Sequence, residues 1–128
     1  MNIFFDVDQT IISSANDLRP GVLELFERLK GDGHAIYLWS GLGPRDEIVA
    51  MHNLRTYISG CYEKPLTRYE ELLKPLGIPV RPDYAVDDHE GLVLHFGGTL
   101  VSHYLVTNEG DREMWRVGVS IAARATAR

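Results

Sequence analysis

The chain has a single cysteine, Cys61, in 128 residues, so no internal disulfide can form. That excludes a disulfide-stapled scaffold and makes a reducing, cytoplasmic setting the expectation. No apolar run approaches the roughly 20 residues that span a bilayer. No basic stretch leads into a long apolar one near the first residue, so no signal peptide is expected. Positive charge is not in excess: 13 Lys and Arg stand against 18 Asp and Glu, a formal net charge of −5. This argues against a general nucleic-acid coat and leaves nucleic acid only as a substrate end. Repeats, low-complexity tracts and an interdomain linker are also missing. The hydrophobic share of 45% against 24% charged residues is that of an ordinary folded core rather than a disordered chain. Residues 1–128 fit one domain.

What is there begins with Ile3-Phe4-Phe5-Asp6-Val7-Asp8-Gln9-Thr10. A short apolar run of this kind reads as a buried parallel strand, with Asp6 the first residue left unburied. Ligands of open α/β sheets bind outside the carboxyl ends of the strands. Two carboxylates there need a cation, a proton or solvent, and a divalent metal is the sharpest reading. Pro20 opens a helix carrying Val22, Leu23, Leu25, Phe26 and Leu29, which Gly31 and Gly33 stop. Residues 34–40 form a second strand ending on Ser40, and Pro44 opens a second helix. Residues 57–62 are a short third strand followed by Lys64. Pro65 begins a third helix, ended by Gly77. Tyr84-Ala85-Val86 is a fourth strand ending on Asp87-Asp88. Alternating strands and helices predict βαβ units in a parallel sheet, a doubly wound Rossmann-like three-layer sandwich.

Beyond residue 90 the pattern changes. Residues 92–96 and 99–106 are rich in strand formers and flank Gly97-Gly98, which predicts a β-hairpin at one end of a mostly parallel sheet. Asn108-Glu109-Gly110-Asp111 reads as a turn and cap. Met114, Trp115, Val117, Ile121 and Ala122 belong to a terminal helix, with Arg124 and Arg128 suited to its C-terminal end.

The four strand ends carry Asp6 and Asp8, Ser40, Lys64, and Asp87 with Asp88, and a parallel sheet puts them on one edge. In that order they resemble the phosphatases of the haloacid dehalogenase superfamily. Asp6-Val7-Asp8-Gln9-Thr10 matches the DxDxT nucleophile motif, Ser40 the second motif, Lys64-Pro65 the third and Asp87-Asp88 the fourth. The likeness covers roughly residues 3–90. Gln9 stands where a glycine is often found, and the fourth motif lacks the common glycine before its acid.

The resemblance implies a Mg²⁺-dependent phosphatase acting on a phosphate monoester. Asp6 would be nucleophile and metal ligand, and Asp8 general acid and then base, with its backbone carbonyl on the metal. Asp87 would be the other acidic ligand, and Asp88 a ligand through water or an orienting neighbour. Lys64 would neutralise charge on the nucleophile and phosphoryl group, while Ser40 and the N–H of Gly41 hold phosphoryl oxygens. Thr10 would hold the loop that aims Asp8. Arg45 and Arg68 are candidate substrate contacts only. His89 reads as a solvent-facing loop residue, Trp39 and Tyr37 as core or interface, and Cys61 as inert packing. Neither residues 11–19 nor residues 65–83 leave room for a cap domain, so the site is expected to be open. A second copy could close it through the hairpin and terminal helix, a homo-oligomer expectation. The alternative is a non-catalytic, receiver-like module that binds phosphate or a partner on the same fold. Receivers, however, place their phosphoacceptor after the third strand, where this chain has Lys64.

Overall fold

A computed structural model describes residues 1–127; Arg128, expected near the end of the last helix, lies outside the described residues. Five short strands form one sheet: β1 (Asn2–Asp6), β2 (Ala35–Ser40), β3 (Gly60–Glu63), β4 (Tyr84–Asp87) and β5 (Gly98–Leu100). Every pairing is parallel, and the order is β3-β2-β1-β4-β5. This is the doubly wound, Rossmann-like arrangement, with the strand order reversing direction between β1 and β4.

Register explains how the layers form. Ile3 lies beside Ile36, Phe4 beside Tyr37, Phe5 beside Leu38 and Asp6 beside Trp39. Side chains alternate between the two faces of a strand, so Ile3 and Phe5 face one way and Phe4 and Asp6 the other. On the first face, helices α1 (Val22–Gly31), α2 (Asp46–Met51) and α5 (Glu113–Thr126) bury Phe26, Ile48 and Val117 against Phe5, Leu38 and Val86. On the second, α3 (Tyr69–Leu73) and α4 (Glu90–Phe96) bury Leu73, Leu92 and Phe96 against Phe4, Tyr37, Trp39 and Ala85. Tyr37 and Trp39 therefore belong to the core. Among the described residues no helix is long and apolar enough to cross a membrane.

The expected hairpin is not there. Residues 90–96 are helix α4, and β5 runs parallel to β4, so the sheet is wholly parallel. Leu92, Val93 and Phe96 are buried while Leu94 is 75% exposed. That spacing is helical, and a five-residue apolar run does not distinguish the two periods. Gly97 (φ 84°) ends α4, and Gly98 (φ 151°) begins β5. A Cβ on Gly98 would lie 1.8 Å from the Ala85 carbonyl oxygen, so only glycine lets β5 approach β4. Gly98→Ala should lower stability by about 3 kcal/mol, read as a shifted urea midpoint with unchanged slope. Of the two elements expected to make an oligomer contact, the hairpin and the terminal helix, only the helix is present.

Other boundaries move slightly. The third helix begins at Tyr69, four residues after Pro65, because Arg68 sits in the left-handed region at φ 47°. Strand β3 starts at Gly60 rather than residue 57. After β5 the chain is irregular through residues 101–112 and packs on the loop that follows β1. Tyr104 donates its N–H to Gln9 O at 2.7 Å, and Ser14 donates to Leu105 O at 2.9 Å. Arg19 fastens these layers. It is 1% exposed, forks onto both Asp111 oxygens at 2.8 and 3.0 Å, and donates to Thr10 O and Ser102 O. A buried guanidinium is tolerable only when its donors are met in this way.

Candidate active site

The carboxyl edge of the sheet at β1 and β4 is where such folds place ligands. Asp6 is the last residue of β1 and Asp87 the last of β4. Asp6 is buried rather than the first uncovered residue of its strand, and Asp87 is fully buried. β3 ends one residue before Lys64, whose own N–H donates to Ser40 O at 2.8 Å. That bond ties the chain after β3 to the end of β2 and aims the lysine inward. Its Nζ lies 3.1 Å from Asp6 Oδ1 and 3.1 and 3.3 Å from the two Asp87 oxygens. Sequence-distant acid and ammonium groups thus meet at one point, as the strand-end pattern predicts.

The remaining oxygens are held from nearby loops. Thr10 donates its hydroxyl to Asp6 Oδ2 at 3.0 Å, so it fixes the first acid directly rather than the loop that aims Asp8. The His89 N–H donates to Asp87 Oδ1 at 3.0 Å. His89 is half-buried, not solvent-facing, with Nε2 2.9 Å from the Tyr69 hydroxyl. Asp88 Oδ2 lies 2.8 Å from Nδ1 of the exposed His103. The turn after β1 is tight: Val7 O accepts from both Thr10 and Ile11. It puts Gln9 at φ 62°, the region a glycine enters freely and another residue at a cost of about 1 kcal/mol.

Asp8 stands apart from this cluster. Ser40 donates its hydroxyl to Asp8 Oδ2 at 2.8 Å, and Arg45 Nη1 reaches Oδ1 at 2.6 Å. Ser40 Oγ in turn accepts the Leu42 N–H at 3.1 Å. Gly41 follows Ser40 beneath Leu66, and a Cβ there would be 3.3 Å from Leu66 Cδ2. Arg68 is exposed and pairs with Glu71. Cys61 is half-buried, and burial pushes its thiol up to about 11, so it stays protonated. Sequence reasoning missed two contacts here, the Arg45 grip on Asp8 and the His103 contact with Asp88. Both join residues too far apart in the chain to leave a local signal.

The electrostatics are unbalanced. Burial, then the charge of Asp87, pushes Asp6 up to about 8, against the pull of Lys64. Asp87 is raised by its burial, although Lys64 and the His89 N–H pull it down. Burial alone would lower Lys64, but Asp6 and Asp87 raise it. Oxygens of Asp6, Asp87 and Asp88 all lie within 4.8 Å of one another. One ammonium contacts two of these three carboxylates, and the three grouped oxygens could hold a divalent cation. In chelator the folded protein holds Asp6 protonated to higher pH than the unfolded chain does. Folded molecules then bind more protons between about 4 and 8, so stability falls as pH rises through that window. The melting temperature in chelator should drop by roughly 5 °C or more from pH 5 to pH 8.

No family model, no curated protein and no solved structure matches the chain. The site therefore rests on its own residues.

Proposed function

We propose that this chain is a Mg²⁺-dependent phosphatase of the haloacid dehalogenase type, without a cap. It would hydrolyse a phosphate monoester through an aspartyl-phosphate on Asp6. The observation that carries the reading is Lys64 held between Asp6 and Asp87, with Asp88 alongside, at the reversal point of a parallel sheet. Asp6, Asp87 and Asp88 would hold the cation. When bound, the cation supplies the positive charge that keeps Asp6 ionised and draws in the substrate phosphate.

Each step then falls to a residue of this chain. An Asp6 oxygen forms a bond to phosphorus as the bond to the leaving oxygen breaks. Asp8 gives that oxygen a proton, then takes one from the water that attacks the aspartyl-phosphate. Asp6 is regenerated and inorganic phosphate leaves. Thr10 holds one Asp6 oxygen, and the other, beside Lys64, would be the one that attacks. Lys64 and Ser40 stabilise charge on the transferring group, as phosphoryl transfer demands of positioned donors. Short connections around the site suit an open mouth: residues 7–21 are loop, and between Glu63 and Tyr84 there is only the five-residue α3.

The receiver-like alternative has less support. Receivers follow the flavodoxin-like order 2-1-3-4-5, which is not the order here. The test is hydrolysis of p-nitrophenyl phosphate. Slow release with Mg²⁺, lost in chelator and regained on adding Mg²⁺, is the expected result. Release that ignores the chelator would exclude this mechanism.

A further inference from the structure

We infer that Ser40 and Arg45 together form the anion cradle for the substrate's phosphoryl group, and that the Asp8 carboxylate fills it while no substrate is bound. The inference rests on the phosphatase reading and adds Arg45 to it as a phosphate-binding residue. Asp8 is the one site acid outside the Asp6, Asp87 and Asp88 cluster. Its two oxygens take one donor each, the Ser40 hydroxyl at 2.8 Å and Arg45 Nη1 at 2.6 Å. A guanidinium N–H beside a hydroxyl is equally suited to two oxygens of a phosphate.

Both donors are fixed before any ligand arrives. The Leu42 N–H occupies a lone pair of Ser40 Oγ, which leaves the hydroxyl proton for an acceptor. Arg45 Nε is held by Glu47 Oε1 at 2.6 Å, and the arginine side chain is 14% exposed. The placeholder is the more exposed partner: the Asp8 side chain is 27% exposed, against 14% for Arg45. Charge also calls for a second cationic side chain. Three carboxylates and a phosphate dianion carry five negative charges, against three from a divalent cation and Lys64. Arg45, although paired on its outer side with the exposed Glu47, supplies a fourth once Asp8 leaves it. The displaced Asp8, on taking up a proton from water, is then free to give it to the leaving oxygen.

Calorimetric titration of inorganic phosphate, with Mg²⁺ present, tests the exchange in wild type, Asp8→Ala and Arg45→Ala. Removing the placeholder should tighten phosphate binding about tenfold, because no internal anion competes. Removing the guanidinium should weaken it about tenfold or more, and Arg45→Lys should fall between. If Arg45 serves only to hold Asp8, then Arg45→Ala frees the Ser40 hydroxyl and binds phosphate as tightly as wild type or more so. That result overturns the inference and leaves the phosphatase reading intact, as does unchanged affinity in Asp8→Ala. Phosphate that binds none of these proteins removes the phosphatase reading, and the inference with it. Melting curves of each variant establish that the proteins compared are folded.

Discussion

Asp6→Asn should cut Mg²⁺-dependent release of p-nitrophenol by about ten-thousandfold or more, while the protein becomes more stable in chelator. The two effects have one cause. The amide keeps the shape of the carboxylate but cannot attack phosphorus, so the covalent route closes. Asp6 is also a buried acid crowded by Asp87 and Asp88. Replacing it with a neutral group removes that repulsion and spares its desolvation. Thr10 can still donate to the amide oxygen, so the local turn survives. Activity retained in Asp6→Asn would exclude the nucleophile assignment. Activity lost together with the fold would leave the assignment undecided, which is why the melt in chelator belongs to the same experiment.

Lys64→Met should produce the second large effect, and its size should depend on pH. Lys64 is buried and touches both Asp6 and Asp87. Removing one partner of a buried ion pair leaves an uncompensated charge and costs about 3–5 kcal/mol. The acids can escape that cost only by taking up protons. In chelator the cost should be small at pH 5, where the acids hold their protons, and should grow toward pH 9 as they give them up. The direction follows from the raised position of Asp6 and Asp87: without the lysine both rise further, so stability is lost as pH climbs. Urea midpoints at the two pH values measure it. Turnover should fall about a hundredfold to a thousandfold, because a donor to the developing charge is gone. An equal loss of stability at both pH values would mean that the lysine acts through packing alone.

The strand ends were legible because a strand buried on both faces reads as an unbroken apolar run, and the first polar residue marks its end. Asp6, Ser40 and Asp87 each close such a run, and Lys64 follows a shorter one. Residues 92–96 read as a strand because Leu92, Val93 and Phe96 fit either period, and the two glycines after them imitate a hairpin turn. The polar contacts were beyond reach for another reason. Arg19 looks like any surface arginine until Asp111, 92 residues away, comes to meet it. The Arg45 hold on Asp8 spans 37 residues. Asp6 was expected outside the core because a carboxylate at a strand end usually is. Here the Lys64 ammonium and the Thr10 hydroxyl make its burial tolerable.

The central claim is that Asp6 carries the phosphoryl group during turnover. Protein mixed with Mg²⁺ and acetyl phosphate, quenched in acid and digested, can be examined by mass spectrometry for an acyl phosphate cleaved by hydroxylamine. A single such adduct on the peptide containing Asp6, absent with chelator and absent in Asp6→Asn, is the predicted result. An adduct on another residue, or turnover of an aryl phosphate with no adduct under any quench, would contradict it.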